Sequence, residues 1–156
     1  MTAIYFIRHG EPNYHNRDDV NRELTDNGII QSYKLIDVFK DKPIDEFFSS
    51  PYKRTIDTIK PTADYFKKEI AIIDEFRERK IGTWVDDFDE FSQRQWQDFE
   101  FKLPNGESLK EVQDRNIHAL NELLAKYKNH TLVIGTHGTA LSTIIHHYQL
   151  LWRFWL

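Results

Sequence analysis

The chain has 156 residues, of which 40% are hydrophobic and 14% are aromatic, and this size and apolar content suit one domain with one core. Its formal net charge of −4 gives no reason to expect nucleic acid or an anionic membrane surface as a partner. The chain has no cysteine, which excludes a disulfide framework and a thiol nucleophile and agrees with a cytoplasmic protein.

The amino terminus enters an apolar run at once, so we expect no signal peptide. No apolar stretch of the sequence is long enough to span a bilayer. No repeat, low-complexity segment or interdomain linker interrupts the sequence. We therefore expect residues 1–156 to form a single domain that associates with neither membranes nor nucleic acids.

The first predicted element is a buried parallel strand at residues 4–7, a run of β-branched and aromatic residues. Arg8-His9-Gly10-Glu11 follows directly, and the carboxyl end of a parallel strand is where α/β proteins place their ligands. Gly10 permits a sharp bend that brings backbone amides close to a ligand. Arginine grips phosphate oxygens and a neutral histidine can attack phosphorus, so this junction points to phosphoryl chemistry.

A helix is predicted over residues 26–40, with Thr25 placed to cap its start. Its apolar stripe, expected to pack against a sheet, consists of Ile29, Ile30, Tyr33, Ile36 and Phe39.

The next strand is predicted at Phe47-Phe48, followed by a polar turn and a helix in which Pro51 suits the first turn. Arg54 is expected about one turn into that helix, where it can point back at the edge of the sheet. The helix continues to about residue 66, and residues 70–73 predict a short strand.

Residues 84–103 match no regular pattern, because acidic residues interleave with several aromatic ones. Two interpretations stay open for this segment: a short lid over the site, or a connecting segment that hides its aromatic side chains in the core. A long amphipathic helix is then predicted over residues 109–127, opened by Glu107 or Ser108.

A second buried strand is predicted at residues 131–135, and Thr136-His137-Gly138-Thr139 follows at its end before an apolar helix. The first amides of a helix and its partial positive charge favour an anion at Gly138. Two strands of one parallel sheet would bring His9 and His137 together. With Arg8 and Arg54 at the same edge, the sequence predicts a phosphate site.

Six segments in this order resemble the histidine phosphatase superfamily, the phosphoglycerate mutase-like enzymes with an RHG signature. They are residues 8–11, 24–31, 49–55, 76–84, 105–115 and 135–138. The resemblance covers nearly the whole chain. It implies an α/β fold, a three-layer sandwich with a mostly parallel central sheet.

The resemblance implies roles for the residues that match these motifs. His9 would be the nucleophile that forms a phosphohistidine, and His137 would donate a hydrogen bond to the transferring phosphoryl group. Arg8 and Arg54 would hold the phosphoryl oxygens, with Gly138 at the same anion site. No metal or other cofactor is expected, since no pair of histidines has metal-ligand spacing.

The acidic proton donor is implied at Glu78, because Phe76-Arg77-Glu78 with Gly82 and Trp84 resembles the family's acid motif. Departure of an alkoxide requires a proton, which a partly buried carboxylic acid can supply. Glu75, three residues earlier, is the alternative.

The sequence also departs from phosphoglycerate mutases. Pro12 follows Glu11, where mutases usually carry Ser or Thr, and the stretch from Trp84 to Leu103 is shorter than the mutase segment that helps enclose phosphoglycerate. The short stretch favours water as the phosphoryl acceptor. The bulky apolar residues 150–156 are expected to be buried by a partner subunit, folded back as an edge strand, or left by truncation.

We therefore predict a metal-independent hydrolase of the histidine acid phosphatase type, acting on a small phosphorylated metabolite in the cytoplasm. One alternative is a phosphoglycerate mutase-type phosphotransferase. The other is a non-catalytic module that binds a phosphorylated ligand, although binding alone would not need both a nucleophile and an acid. The substrate class stays open among sugar phosphates, nucleotides and phosphoproteins.

Overall fold

The computed structural model describes the backbone of residues 1–153 and the side chains of residues 1–149. The expected burial, pairing or subunit contact of residues 150–156 lies outside the described side chains. The elements are β1 (Ala3–Arg8), α1 (Asp26–Phe39), β2 (Glu46–Ser49), α2 (Lys53–Tyr65), β3 (Ile70–Ile72), α3 (Phe88–Gln97), α4 (Leu109–Lys126), β4 (Thr131–Thr136) and α5 (Gly138–Arg153), with a 3₁₀ turn at Asp74–Phe76.

The four strands form one parallel sheet in the order β1-β4-β2-β3. Successive residues of a strand point to opposite faces, and Leu132 and Ile134 of β4 lie in one hydrophobic cluster while Val133 lies in the other. The first cluster packs against α4 and α5, and the second packs against α1 and α2. This arrangement confirms the α/β three-layer fold.

The expectation that residues 4–7 form a buried strand is only half right. They belong to a parallel strand, but β1 lies at the edge of the sheet, and Tyr5 is exposed. A strand with a neighbour on one side keeps part of its surface open, which a run of apolar residues does not reveal.

The apolar stripe predicted for α1 is largely wrong, although Thr25 caps this helix as expected by accepting a hydrogen bond from the amide of Gly28. Ile29, Ile30 and Tyr33 are exposed, and the buried positions are Gly28, Ser32 and Phe39. A Cβ at Gly28 would lie 2.3 Å from the carbonyl oxygen of Glu11. Close approach of the backbones therefore decides which face of α1 is buried.

The second helix starts later than predicted. Pro51 precedes it, Tyr52 is its N-cap, and Arg54 is its second residue rather than a residue one turn in. Residues 84–103 contain a helix that the sequence pattern did not reveal, α3. Its signals were present, since Asp87 caps the helix and Asp89 and Glu90 occupy its first turn.

The long helix α4 is confirmed. Ser108 rather than Glu107 caps it, in a capping box with Glu111. The predicted apolar positions Leu109, Val112 and Leu120 are buried.

Candidate active site

Three segments meet at the carboxyl edge of the sheet. In the parallel register, Arg8 of β1 pairs with Thr136 of β4, and Ser49 of β2 pairs with Gly135. The residues that follow are held by further backbone hydrogen bonds, from the His9 amide to the carbonyl of Thr136 (3.1 Å) and from the Ser50 amide to that of Gly135 (3.0 Å). The edge therefore collects the ends of β1, β2 and β4.

The predicted meeting of the two histidines is found at this edge. The ring centroids of His9 and His137 lie 5.3 Å apart, with an edge-on geometry. Parallel pairing of β1 with β4 produces this distance, because both rings stand one residue beyond the strands.

His9 is held as a neutral imidazole with one nitrogen committed. Its Nδ1 lies 2.8 Å from the carbonyl oxygen of Gly10; a carbonyl only accepts, so Nδ1 carries the hydrogen and Nε2 keeps its lone pair. The pKa of His9 is lowered to about 4, chiefly by burial and also by the charges of Arg54 and Arg8, while the Gly10 contact opposes the shift. At neutral pH, Nε2 is therefore an unprotonated nitrogen.

Arg54 is almost fully buried and its position is set by groups that the sequence did not point to. Its guanidinium donates to the carbonyl oxygen of Asp19 and lies 3.2 Å from the Asp19 carboxylate. It also stands over the ring of Tyr52, 5.0 Å from the centroid. Burial lowers the pKa of Arg54, while Asp19 raises it.

Arg8 lies beside the start of α5. A Cβ built on Gly138 would be 3.4 Å from Nε of Arg8, so this guanidinium lies against the first residue of α5. Within the described residues, the Arg8 side chain has no hydrogen-bond partner. It is a cation available to an anionic ligand.

His137 lies behind the surface of the cleft, fully buried. Its Nε2 is 2.7 Å from Oγ of Ser50, whereas its Nδ1 has no partner among the described residues. Burial, followed by the charges of Arg54 and by His9, lowers the pKa of His137 to about 2. The ring is therefore neutral at physiological pH.

Glu78 contacts the start of α5. Its carboxylate accepts hydrogen bonds from the amides of Ala140 (3.1 Å), Thr139 (3.2 Å) and Arg79 (2.8 Å). A carboxylate in this position matches the partial positive charge of a helix N-terminus. Glu78 lines the cleft, and Glu75 is not among the described residues that do so.

The segment that carries Glu78 is held by an ion-pair network that sequence reasoning missed. Arg115 of α4 donates to the backbone carbonyls of Glu75, Arg77 and Glu78. It also pairs with the Glu107 carboxylate at 2.9 Å. In the sequence, Arg115 stands out only as part of a family motif, and its spacing from Glu107 gives no sign that it binds another segment.

These side chains surround a cleft of about 1270 Å³. Of the predicted site residues, Arg8, His9, Arg54, Glu78 and Gly138 line it. The structure thus brings the six predicted residues to one place, with His137 beneath the surface.

The segment from 84 to 103 shows features both of a lid over the site and of a connecting segment with buried aromatic side chains. Trp84, Phe88 and Trp96 line the mouth of the cleft, while Phe91 is buried. Arg79, which is buried, holds this segment. Its guanidinium carbon lies 5.4 Å from the ring centroid of Phe88 and 5.1 Å from that of Phe91, and the guanidinium donates to the side chain of Gln95 at 2.8 Å.

In the described part of the chain, no group of three or more His, Asp or Glu side chains is placed to hold a metal ion. None of the helices described is both long and apolar enough to cross a membrane.

Comparison with known proteins agrees with this geometry. PhoE of Bacillus subtilis (strain 168), named an uncharacterized phosphatase, is 28% identical over 151 residues, which cover 93% of this chain and 76% of that protein. The structure of Bacillus stearothermophilus YhfR superimposes with a TM-score of 0.80 at 22% identity, covering 96% of this chain and 80% of that one.

A phosphoserine phosphatase from Entamoeba histolytica, solved in complex with phosphoserine, gives a TM-score of 0.77 at 27% identity, covering 93% of this chain and 78% of that one. The model of the histidine phosphatase superfamily (branch 1) matches residues 4–153, nearly the whole chain. The chain therefore belongs to the histidine phosphatase superfamily.

Proposed function

We propose that this protein is a phosphomonoester hydrolase in which Nε2 of His9 attacks phosphorus. The observation that carries the proposal is the state of His9: a neutral ring whose Nδ1–H is committed to Gly10, in a cleft that also holds Arg8 and Arg54. Two guanidinium groups beside an unprotonated nitrogen suit attack on a phosphate ester.

The proposed reaction proceeds in two steps. First, a bond forms between Nε2 of His9 and phosphorus while the bond from phosphorus to the ester oxygen breaks, and Glu78 gives that oxygen a proton. Water then attacks the phosphohistidine, Glu78 takes the proton of the water, and the nitrogen–phosphorus bond breaks to release phosphate. The amides of Thr139 and Ala140 stabilise the carboxylate between the two steps.

The charge that develops on the phosphoryl group is met by groups already in place. Arg8 and Arg54 supply the cations, and His137 and the start of α5 at Gly138 supply neutral donors. Arg54 and His137 are fixed by burial, so little rearrangement of these two groups opposes the reaction. No metal is required for this arrangement to stabilise the charge.

The substrate we propose is a small phosphorylated metabolite, hydrolysed by water. A cleft that opens at Trp84, a side chain 79% exposed, supports access of water to the phosphoenzyme. The related phosphoserine phosphatase, with phosphoserine in its structure, makes phosphoserine a first compound to test.

Trapping the intermediate tests the proposal. The purified chain is mixed briefly with a ³²P-labelled phosphomonoester in the presence of excess chelator and quenched without acid. We expect label on the protein that survives alkali, is lost in acid, and is absent from the His9→Ala variant. His118→Ala, which changes an exposed histidine on α4, is the matched control and should label normally.

Other results of the trapping and turnover experiments would contradict the proposal. Acid-stable label, or label that persists in His9→Ala, would refute His9 as the nucleophile. Turnover that requires added divalent metal would refute the metal-independent mechanism. Transfer of label to phosphoglycerate rather than to water would establish the phosphotransferase alternative, and tight binding of phosphate with no turnover would establish the non-catalytic one.

A further inference from the structure

Ser50 forms a buried hydrogen bond with His137 at the carboxyl edge of the sheet. Both residues are fully buried, and Oγ of Ser50 is 2.7 Å from Nε2 of His137. They lie on different elements, Ser50 after β2 and His137 after β4. A short, water-excluded hydrogen bond of this kind fixes the orientation of the imidazole ring.

The direction of this bond follows from the other partners of the hydroxyl. Oγ of Ser50 already accepts a hydrogen bond from the amide of Tyr52 at 3.2 Å, and the described residues offer its hydrogen no acceptor other than Nε2 of His137. A serine hydroxyl has one hydrogen to donate. That hydrogen therefore goes to Nε2, which must be the unprotonated nitrogen.

The opposite direction of this hydrogen bond has a higher free energy. If Nε2 carried the hydrogen and donated to Ser50, the hydroxyl hydrogen and the lone pair of Nδ1 would both be buried without partners. Each buried unsatisfied polar group costs about 1–3 kcal/mol. The first direction leaves a single unpartnered group among the described residues, the Nδ1–H of His137.

We propose that Ser50 is a positioning residue that holds His137 in the neutral tautomer protonated at Nδ1, so that Nδ1–H is the donor to the transferring phosphoryl group. The inference rests on the proposed function for the identity of the ligand but not for the tautomer. Without Ser50, the ring would be free to take the other tautomer, which presents a lone pair to the phosphoryl oxygens and repels them.

The tautomer can be read directly in the unmodified protein. In the full chain labelled with ¹⁵N-histidine, ring correlation spectra distinguish a nitrogen that carries hydrogen from one that does not. For His137 we expect Nδ1 to carry the hydrogen and Nε2 to be bare, at neutral pH. Addition of vanadate should move the Nδ1 resonance more than the Nε2 resonance. A hydrogen found on Nε2 would overturn the inference, and this measurement needs no variant to fold.

The matched pair of variants is Ser50→Ala and Ser49→Ala. The two serines are adjacent and equally buried, but Oγ of Ser49 has no hydrogen-bond partner among the described residues. Ser49→Ala therefore removes a hydroxyl without touching His137. Ser50→Ala should move the His137 hydrogen toward Nε2 and lower kcat by about 10²-fold, as for loss of one charge-stabilising donor. Ser49→Ala should keep the tautomer and stay within about twofold of the parent kcat, as expected where no contact to a reacting group is lost.

Equal loss of kcat in the two variants, with the His137 tautomer unchanged, would show that Ser50 is merely structural. Failure of this inference is separable from failure of the proposed function. Turnover that persists in His9→Ala refutes the mechanism but leaves the His137 spectrum as it was, whereas a hydrogen on Nε2 refutes the role of Ser50 while the phosphohistidine is still trapped.

Discussion

Arg54, one of the two arginines of the proposed phosphate site, is paired within the chain itself. The buried guanidinium is covered by the ring of Tyr52 and paired with Asp19. A buried cation needs a partner, and the half-exposed Asp19 carboxylate supplies one. A phosphoryl group must compete with that carboxylate for the same guanidinium.

We therefore predict that Asp19→Asn strengthens the binding of inorganic phosphate. Exposed ion pairs contribute up to about 1 kcal/mol, which corresponds to an inhibition constant about fivefold lower. Phosphate inhibition of turnover measures this constant. The control is Asp57→Asn on α2, the helix that carries Arg54. This variant removes a carboxylate paired with Lys53 and should leave phosphate binding unchanged. An equal or weaker affinity in Asp19→Asn would contradict the competition.

Glu78 differs from Glu75 in its place relative to the cleft, and this gives a sharp test of the proton donor. Glu78→Gln should lose about 10²–10⁴ in rate on an alkyl phosphate, whose alkoxide needs a proton to leave. It should lose much less on p-nitrophenyl phosphate, whose phenolate leaves unaided. Glu75→Gln, outside the cleft, should behave as the parent chain on both substrates. Equal slowing on both substrates would make Glu78 a positioning residue.

At the scale of elements, the segment from Glu75 to Gly82 sets the position of Glu78. It has little regular structure, and it is held by Arg115 of α4 and by Glu107, which precedes that helix. Its end packs backbone against backbone: Gly82 has a φ of +94°, and a Cβ there would lie 2.2 Å from the amide nitrogen of Gly106. Only glycine accommodates both the left-handed conformation and the contact.

Gly82→Ala should therefore lower the free energy of unfolding by about 2–4 kcal/mol, since backbone strain and a steric clash act together. Urea unfolding followed by circular dichroism measures the change. Gly138→Ala is the contrasting variant, because its Cβ meets only ordinary contacts, the nearest 3.4 Å away, and should shift the free energy by less than about 1 kcal/mol. Equal destabilisation of the two variants would refute the contact with Gly106.

At the scale of the whole molecule, burial of the two active-site histidines links stability to pH. Their ordinary pKa of 6.5 is lowered to about 4 for His9 and about 2 for His137. Above pH 6.5 both states of the protein hold them neutral. As the pH falls below 6.5, the unfolded chain binds protons that the folded chain refuses, so the free energy of unfolding decreases.

We expect the free energy of unfolding to fall steadily from about pH 6.5 to about pH 4, where the folded state begins to protonate His9. Below pH 4.5, carboxylates with lowered pKa values, such as Glu23, add to the loss. Urea titrations at several pH values measure the slope. His9→Gln should flatten it and His118→Gln, at an exposed site, should not. A flat profile between pH 7 and pH 4.5 would contradict the burial argument.

A cytoplasmic location, independence of metal and association through residues 150–156 stay predictions. Subcellular fractionation, turnover under chelation and light scattering in solution address them in turn.

The sequence by itself determined the fold class and which residues gather at the carboxyl edge of the sheet. Strand ends carry their signal locally, because a buried parallel strand is a continuous apolar run and its ligand-binding end is marked by the polar residues that follow. Arg8-His9-Gly10 and His137-Gly138 were readable in this way, as was Thr25, whose capping role depends on residues three positions away.

Only the tertiary structure decided the features that depend on residues far apart in the chain. The exposed side of β1 follows from strand order, and the buried face of α1 follows from the close approach of Gly28 to Glu11. The pairing of Asp19 with Arg54 joins a loop to α2. The Ser50 contact with His137 spans 87 positions. Periodicity reports which residues share a face of one element, but it carries no information on what another element brings against that face.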